Sequence, residues 1–411
     1  LAIDDNALYV QAQGNIIRDL SFDYQVDGYR GNDITTFATH LFRGKQIVDW
    51  DYQKVPDSII WAVMDDGTIS ACTYVREQQI IAWHRHDFSD GFVERVCCVP
   101  EGDSTAVYFV VKRTIDGRTV RYIERMVSEF VDDVRDVVYM DSALTYDGRN
   151  TGVKTMTMSA PTGWTHADTI TCTASASTFA STNVGDQLFF YDTDETEYRF
   201  DIVAYTSATV VTVRPVATIP TALRTVLLAG TATWSLAVDT VSGLWHLEGK
   251  QVSVLGDGFV VANPNNSSYT ALTVTDAAVT LDRPHAVVTV GLPITADMET
   301  LSVDTASAET LVGKKMIVGK VHVKLEKTRG LFVGSEPPPD EDTDFLGGLV
   351  ELKVRQYENY SSPIDLKTGD AEVVINGQWN DNGRVFIRQT DPLPATVLAI
   401  YPDGNFPIRQ G

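Results

Sequence analysis

The chain has 411 residues, 44% of them hydrophobic, with 33 Lys+Arg against 55 Asp+Glu and a formal net charge of −22. That length exceeds one ordinary core and predicts about two to four domains. The composition excludes wholesale disorder, the apolar runs fall far short of the ~20 residues that cross a bilayer, and the acidity disfavours tight nucleic-acid binding.

The chain opens at Leu1 without Met and without the basic and apolar segments of a signal peptide. Residues 7–11 already read as a strand, so the first β region is expected to be N-terminally incomplete. Ile34, Phe37, Ala38 and Leu41 follow at i, i+3, i+4 and i+7, with Asn32-Asp33 as cap candidates and Gly44 as a stop. This spacing predicts a helix over 33–43.

From Ile59 to Met126 one pattern occurs twice. Ile59–Met64, the turn Asp65-Asp66-Gly67 and Thr68–Val75 form one β–turn–β unit; Val107–Lys112, the turn Asp116-Gly117 and Thr119–Glu124 form the other. An Asp-Gly turn between β-rich runs is a strong hairpin signal. Two further strands, Ile80–His84 and Phe92–Val99, lie between, and Trp61 and Phe109 stand 48 positions apart. A period of roughly 40–50 residues with four strands per unit is that of a β-propeller blade. Residues 1–150 are therefore expected to form a propeller-like β region.

After Asn150 the composition shifts to Thr, Ala, Ser and Val. The runs Asp186–Tyr191, Tyr198–Val203 and Thr209–Val213, with the acidic turn Asp192–Glu195, predict an inserted small β-barrel or sandwich over 151–235. Residues 236–334 form a third β-rich region, with a hairpin at Gly256-Asp257-Gly258 and a strand at Val321–Glu326 whose strict alternation buries one face. Residues 335–348 read as an acidic, Pro-rich loop. Residues 349–411 return to short strands, with a hairpin turn at Asp381-Asn382-Gly383. The fold class is all-β, with few helices.

Chemistry is sparse. The sequence contains no GxxxxGK[ST], GxGxxG after a strand, HExxH or GxSxG, so no catalytic, cofactor-binding or metal residues are assigned and no enzyme is expected. His84 and His86 would share one face of a strand, but no third ligand stands at metal spacing. Asp192-x-Asp194-Glu195 and Asp340-Glu341-Asp342-x-Asp344 lack the Gly and distal Glu of an EF-hand and read as solvated turns. Glu124-Arg125 reads as a cross-strand ion pair. Cys97 and Cys98 are neighbours in a strand and point to opposite faces; with Cys72 and Cys172 they read as buried thiols of a reducing compartment.

An ordered set of motifs carries a resemblance. It runs through Asp27-Gly28-Tyr29, Asp33-Ile34-Thr35-x-Phe37-Ala38-x-His40-Leu41-Phe42, Pro56-x-Ser58-Ile59-Ile60-Trp61 with Asp66-Gly67, and Thr73-Tyr74-x-Arg76-Glu77-Gln78. Ala82-Trp83-His84-Arg85-His86, Val111-Lys112-Arg113 and Arg121–Arg125 follow. Further on stand Gly243–Gly249, Leu281-Asp282-Arg283-Pro284, Val290–Pro293, Gly369-Asp370, Gly377-x-Trp379, Ile387–Gln389 and Pro392–Ile400. Over about two-thirds of its length the chain resembles the tail nozzle, or tail tubular protein B-like component, of short-tailed bacteriophages.

The resemblance implies a structural virion protein with a β-propeller in its fold. Its partners would be further copies of itself in a cyclic ring of six subunits, a tail adaptor, and tail fibre or spike proteins. Double-stranded DNA would pass without tight binding, there would be no membrane insertion, and the protein would reside in the phage tail after assembly in the bacterial cytoplasm. Family members are usually longer at the N-terminus, and the 151–235 segment is the part least matched. Two other readings stand beside it: a host-surface module binding glycan or receptor, and a propeller hydrolase of polysaccharide, which would need two carboxylates converging about 5–10 Å apart.

Overall fold

The computed structural model describes residues 1–3, 6–24, 27–128, 131–161, 163–194, 196–304, 310–311, 313–339, 344–355 and 363–405. The fold is all-β: thirty strands and two α-helices are found among the described residues, with a few 3₁₀ turns. The chain divides into two compact units, 1–130 and 131–411. Residues 131–150, expected with the first region, therefore belong to the second.

The first unit is a stack of three antiparallel meanders. β1 (Ala2–Ile3), β2 (Asn6–Val10), β3 (Ile17–Asp23) and β4 (Gly28–Asp33) make the first sheet in chain order. β5 (Ile47–Gln53), β6 (Ile59–Met64), β7 (Ile69–Val75) and β8 (Ile80–His86) make the second, and β9 (Gly91–Glu101), β10 (Ser104–Ile115) and β11 (Arg118–Arg125) the third. The strand expected at 7–11 is β2, paired on both sides.

Residue alternation on β6 and β7 explains the stack. Ile60, Cys72 and Tyr74 face Leu8, Ile17 and Ile34 of the first sheet and its following turn. Trp61, Val63, Ile69 and Ala71 face Val93, Val96, Val107, Phe109 and Val111 of the third. A strand buried on both faces must read as a continuous apolar run, and Ile59–Met64 does.

Both expected turns close hairpins. Asp116 and Gly117 have φ of 47° and 70° between the paired ends Ile115 and Arg118, the two-residue geometry that Asp-Gly favours. Gly67 lies at φ 82°, and a Cβ there would stand 2.5 Å from the Phe92 ring. Glycine is demanded twice at that position, by conformation and by space.

The propeller expectation is met only at the level of its building block. The β5–β8 meander has four strands but the unit that follows it has three, since among the described residues β11 pairs only with β10. Three stacked meanders are also fewer than the four or more blades with which propellers close. The expected 33–43 helix is shorter too. A 3₁₀ turn, Thr36–Ala38, leads into one α-turn, Thr39–Phe42. Ile34, Ala38 and Phe42 are buried, whereas Phe37 is 99% exposed. Asp33 Oδ1 accepts the Thr35 N–H at 2.8 Å and the Thr35 hydroxyl at 2.6 Å, which holds the chain in a turn where the helix should begin.

In the second unit, a seven-stranded sheet runs Met156–Met158, Ile170–Ala174, Val210–Pro215, Glu197–Ser207, Gln187–Tyr191, Trp234–Ser242, Ala278–His285. Its first part, with the helix Thr221–Ala229, encloses a core of Phe190, Phe200, Val211, Leu223 and Leu227. The strand Trp234–Ser242 then changes partners. Its start pairs with Gln187–Phe190 and its end with Ala278–His285, so one strand runs out of the 151–235 segment into the next core.

A five-stranded sheet follows, built on Val287–Leu292 and Gln251–Gly256. The C-terminal part adds a four-stranded sheet around Phe386–Gln389 and Leu331–Gly334, and a three-stranded one centred on Ile317–Thr328. In the last, Val321, Val323 and Leu325 are buried while Lys324 and Glu326 are exposed. The turn at 381–383 does not close a hairpin. Lys367–Val374 and Phe386–Gln389 lie in different sheets, and Asn380 Oδ1 holds the turn by accepting the Gly383 N–H at 2.8 Å. Residues 340–343, the centre of the expected 335–348 acidic loop, lie outside the described residues.

Candidate functional site

The histidine pair is a packed corner. On β8, alternation places His84 and His86 on one face, with Nδ1 of the first 2.6 Å from Nε2 of the second. The Trp61 ring stands 6.4 Å from the His84 ring and 5.1 Å from that of His86. Burial disfavours the imidazolium, lowering both pKa values, that of His86 to about 4 with His84 adding to the effect. Two neutral rings can share one proton as an N–H···N bond. Among the described residues no group of three or more His, Cys, Asp and Glu could hold a metal ion.

The acidic turn at 192–194 uses its carboxylates on its own backbone. Asp192 Oδ1 accepts the Thr193 N–H at 2.7 Å, and Asp194 Oδ1 the Thr196 N–H at 3.1 Å. That second bond, with one from the Thr196 hydroxyl, holds Asp194 below the usual carboxylate range. Glu195, and Asp340 to Asp342, lie outside the described residues.

Glu124 and Arg125 are both ion-paired across strands, but not to each other, since neighbours on a strand face opposite ways. Glu124 receives Nε and Nη2 of Arg113 at 2.7 and 2.8 Å. Arg125 reaches Glu101 at 2.9 Å. Arg113 is only 2% exposed, and its Nη1 also donates to the Ser89 carbonyl, so its buried charge is fully engaged.

Sequence reasoning missed several polar contacts that fix the architecture. On β5, Asp49 Oδ2 accepts the Val96 N–H at 3.1 Å and Asp51 Oδ2 the Cys98 N–H at 2.7 Å. These carboxylates satisfy the outward edge of β9, which protects it from stray pairing. The alternating Asp49-x-Asp51 in an otherwise apolar strand was the available signal. In the second unit, Asp257 sits at φ 49° in its hairpin turn, bonded by His285 Nδ1 at 3.0 Å and by the Val287 N–H at 2.9 Å.

A cleft of about 1680 Å³ lies within the second unit. The 151–235 segment contributes Tyr191, Tyr198 and Trp234 to its walls, and the following region Asp257, Phe259 and Arg283. Its charges are largely paired: Arg135 with Asp133 at 2.6 Å, Arg199 with Glu197 at 2.6 Å, and Lys327 with Asp132 at 3.3 Å. Arg283 lies over the Phe259 ring at 5.1 Å. Asp133 ends below its ordinary pKa through the Arg135 fork, although burial opposes this. The carboxyls that burial pushes upward are Asp186 and Asp391, neither of which lines the cleft. The cleft offers aromatic faces and hydrogen-bonding groups.

No family model matches the chain, and no curated protein matches it at a significant level. No helix among the described residues is long and apolar enough to cross a membrane.

Proposed function

We propose that the chain is a structural, non-enzymatic virion protein, one subunit of a ring-shaped phage tail nozzle through which double-stranded DNA passes during ejection. The observation that carries this reading is where the motifs of the resemblance fall. Trp61, Tyr74 and Trp83 pack in the cores between the sheets, Gly67 abuts the Phe92 ring, His84 and His86 pack on Trp61, and Arg113 pairs with Glu124. A rigid β-scaffold suits a conduit, and a net charge of −22 withholds the counterion-release gain that would make DNA adhere.

The test is electron microscopy of the purified chain beside intact tails, with a duplex-DNA anisotropy titration. Rings matching a tail segment, and no binding at moderate salt, are expected. Submicromolar, salt-sensitive binding would overturn the passive conduit.

The cleft favours a second reading, recognition of a host-surface glycan. Sugar rings stack on aromatic faces and bond to polar side chains, and both line the walls. A glycan array without a hit would remove it.

A further inference from the structure

The two outward faces of the three-sheet stack differ in chemistry. The first sheet turns Leu8, Ile17 and Asp19 inward, so the alternate residues face away from the stack. Those residues include Tyr9, Phe22 and, through the register Phe22↔Tyr29, Tyr29. Phe22 contacts Tyr24 and Tyr29 edge to face, with centroids at 5.0 and 5.4 Å. Tyr24 is 91% and Tyr29 73% exposed. Three interlocked rings in water are unusual on a sheet face and mark an interaction surface.

The third sheet's outward face carries Tyr108, Val110 and Lys112, which alternate with the residues packed on Trp61, and their register partners Arg125, Ile123 and Arg121. Ile123 is 77% exposed. Arg121 is held in a fork by Glu94 at 2.6 and 3.0 Å, and Arg125 is tied to Glu101. A guanidinium fixed edge-on by a carboxylate keeps both flat faces free, and loses little further entropy when a ring stacks on it.

We propose that these faces are the two halves of one heterologous interface, so that the tyrosine face of one copy docks on the arginine face of the next. The occupant is a second copy because the chain itself supplies both complements, aromatic π-faces and pre-set cations around an apolar anchor, Ile123. The contact would also continue the face-to-face packing by which the sheets already stack within one copy. Two unlike faces on one molecule propagate head to tail and close as a ring when the rotation permits. The proposal rests on the ring reading in requiring self-association, and it names the surfaces that reading leaves open.

The test uses the full chain and sedimentation velocity across a concentration series. Tyr24→Ser with Tyr29→Ser removes one half; Arg121→Glu with Ile123→Glu removes the other. All four positions are exposed, and circular dichroism would verify the fold. Wild type is expected to form a closed oligomer. Each double variant should raise the concentration for assembly by roughly tenfold or more, as loss of an aromatic or arginine anchor does. An equimolar mixture of the two variants keeps one intact pair of faces and should yield a dimer and nothing larger. If wild type forms rings that both variants leave unchanged, the interface is wrong while the ring reading stands. If wild type stays monomeric throughout, both fall. Dimers formed by either variant alone would mean a symmetric contact and would also overturn the proposal.

Discussion

His86 and Gly67 show how single positions set the tolerance of the first unit. Burial holds His86 near a pKa of about 4, against 6.5 for an unperturbed imidazole. The unfolded chain therefore takes up the extra proton first as pH falls. The stability this histidine contributes is complete above pH 6.5 and is lost as pH drops toward about 4, by up to about 3 kcal/mol. Urea midpoints should thus fall between about pH 7.5 and about pH 5, and His86→Asn should flatten that dependence; an unchanged slope would refute the assignment. At Gly67, an added methyl meets the Phe92 ring and sits at φ 82°. Gly67→Ala is expected to cost about 2–3 kcal/mol, and denaturation of the variant checks it.

Among the elements, the β10–β11 hairpin is the sharpest case. Its Asp-Gly turn and β-rich flanks were legible in the sequence because turn chemistry and pleat are local. The Arg113–Glu124 pair was not, because register and bulges decide which charges meet across strands. Glu124→Gln leaves a buried guanidinium short of its counter-charge and should destabilise by about 3–5 kcal/mol, whereas Arg113→Met with Glu124→Leu should cost clearly less. A double-mutant cycle measures both. The same distinction explains the helices. Phe37 fits an amphipathic pattern that Asp33 interrupts by capping a turn, so periodicity misled. The helix Thr221–Ala229 went unread although Pro220 and Gly230 bracket it, the usual boundary residues, because a Thr- and Ala-rich setting gave little contrast. The cleft was invisible for a different reason: its walls come from strands far apart in sequence.

At the scale of the molecule, each unit has hydrophobic cores of its own. Residues 131–411 expressed alone should therefore fold, with a near-ultraviolet spectrum that persists on dilution from denaturant; a molten product would contradict the division. Within that unit, Trp234–Ser242 pairs at its start with Gln187–Tyr191 and at its end with Ala278–His285, and the cores on either side are distinct. Excising 151–232 behind a short glycine linker should leave the remaining sheets intact, since Val238–Ser242 keeps its own partners.

The middle sheet of the first unit has a consequence for how that unit comes into being. β6 and β7 present almost no wettable side to the solvent. Until the strands before and after them have been made and docked, they are a sticky ribbon with open edges. Their assembly is accordingly all-or-none. A boundary drawn anywhere between residue 34 and residue 118 should give inclusion bodies rather than a smaller working piece, and on the ribosome the unit must wait for β11 before any of it is safe from aggregation.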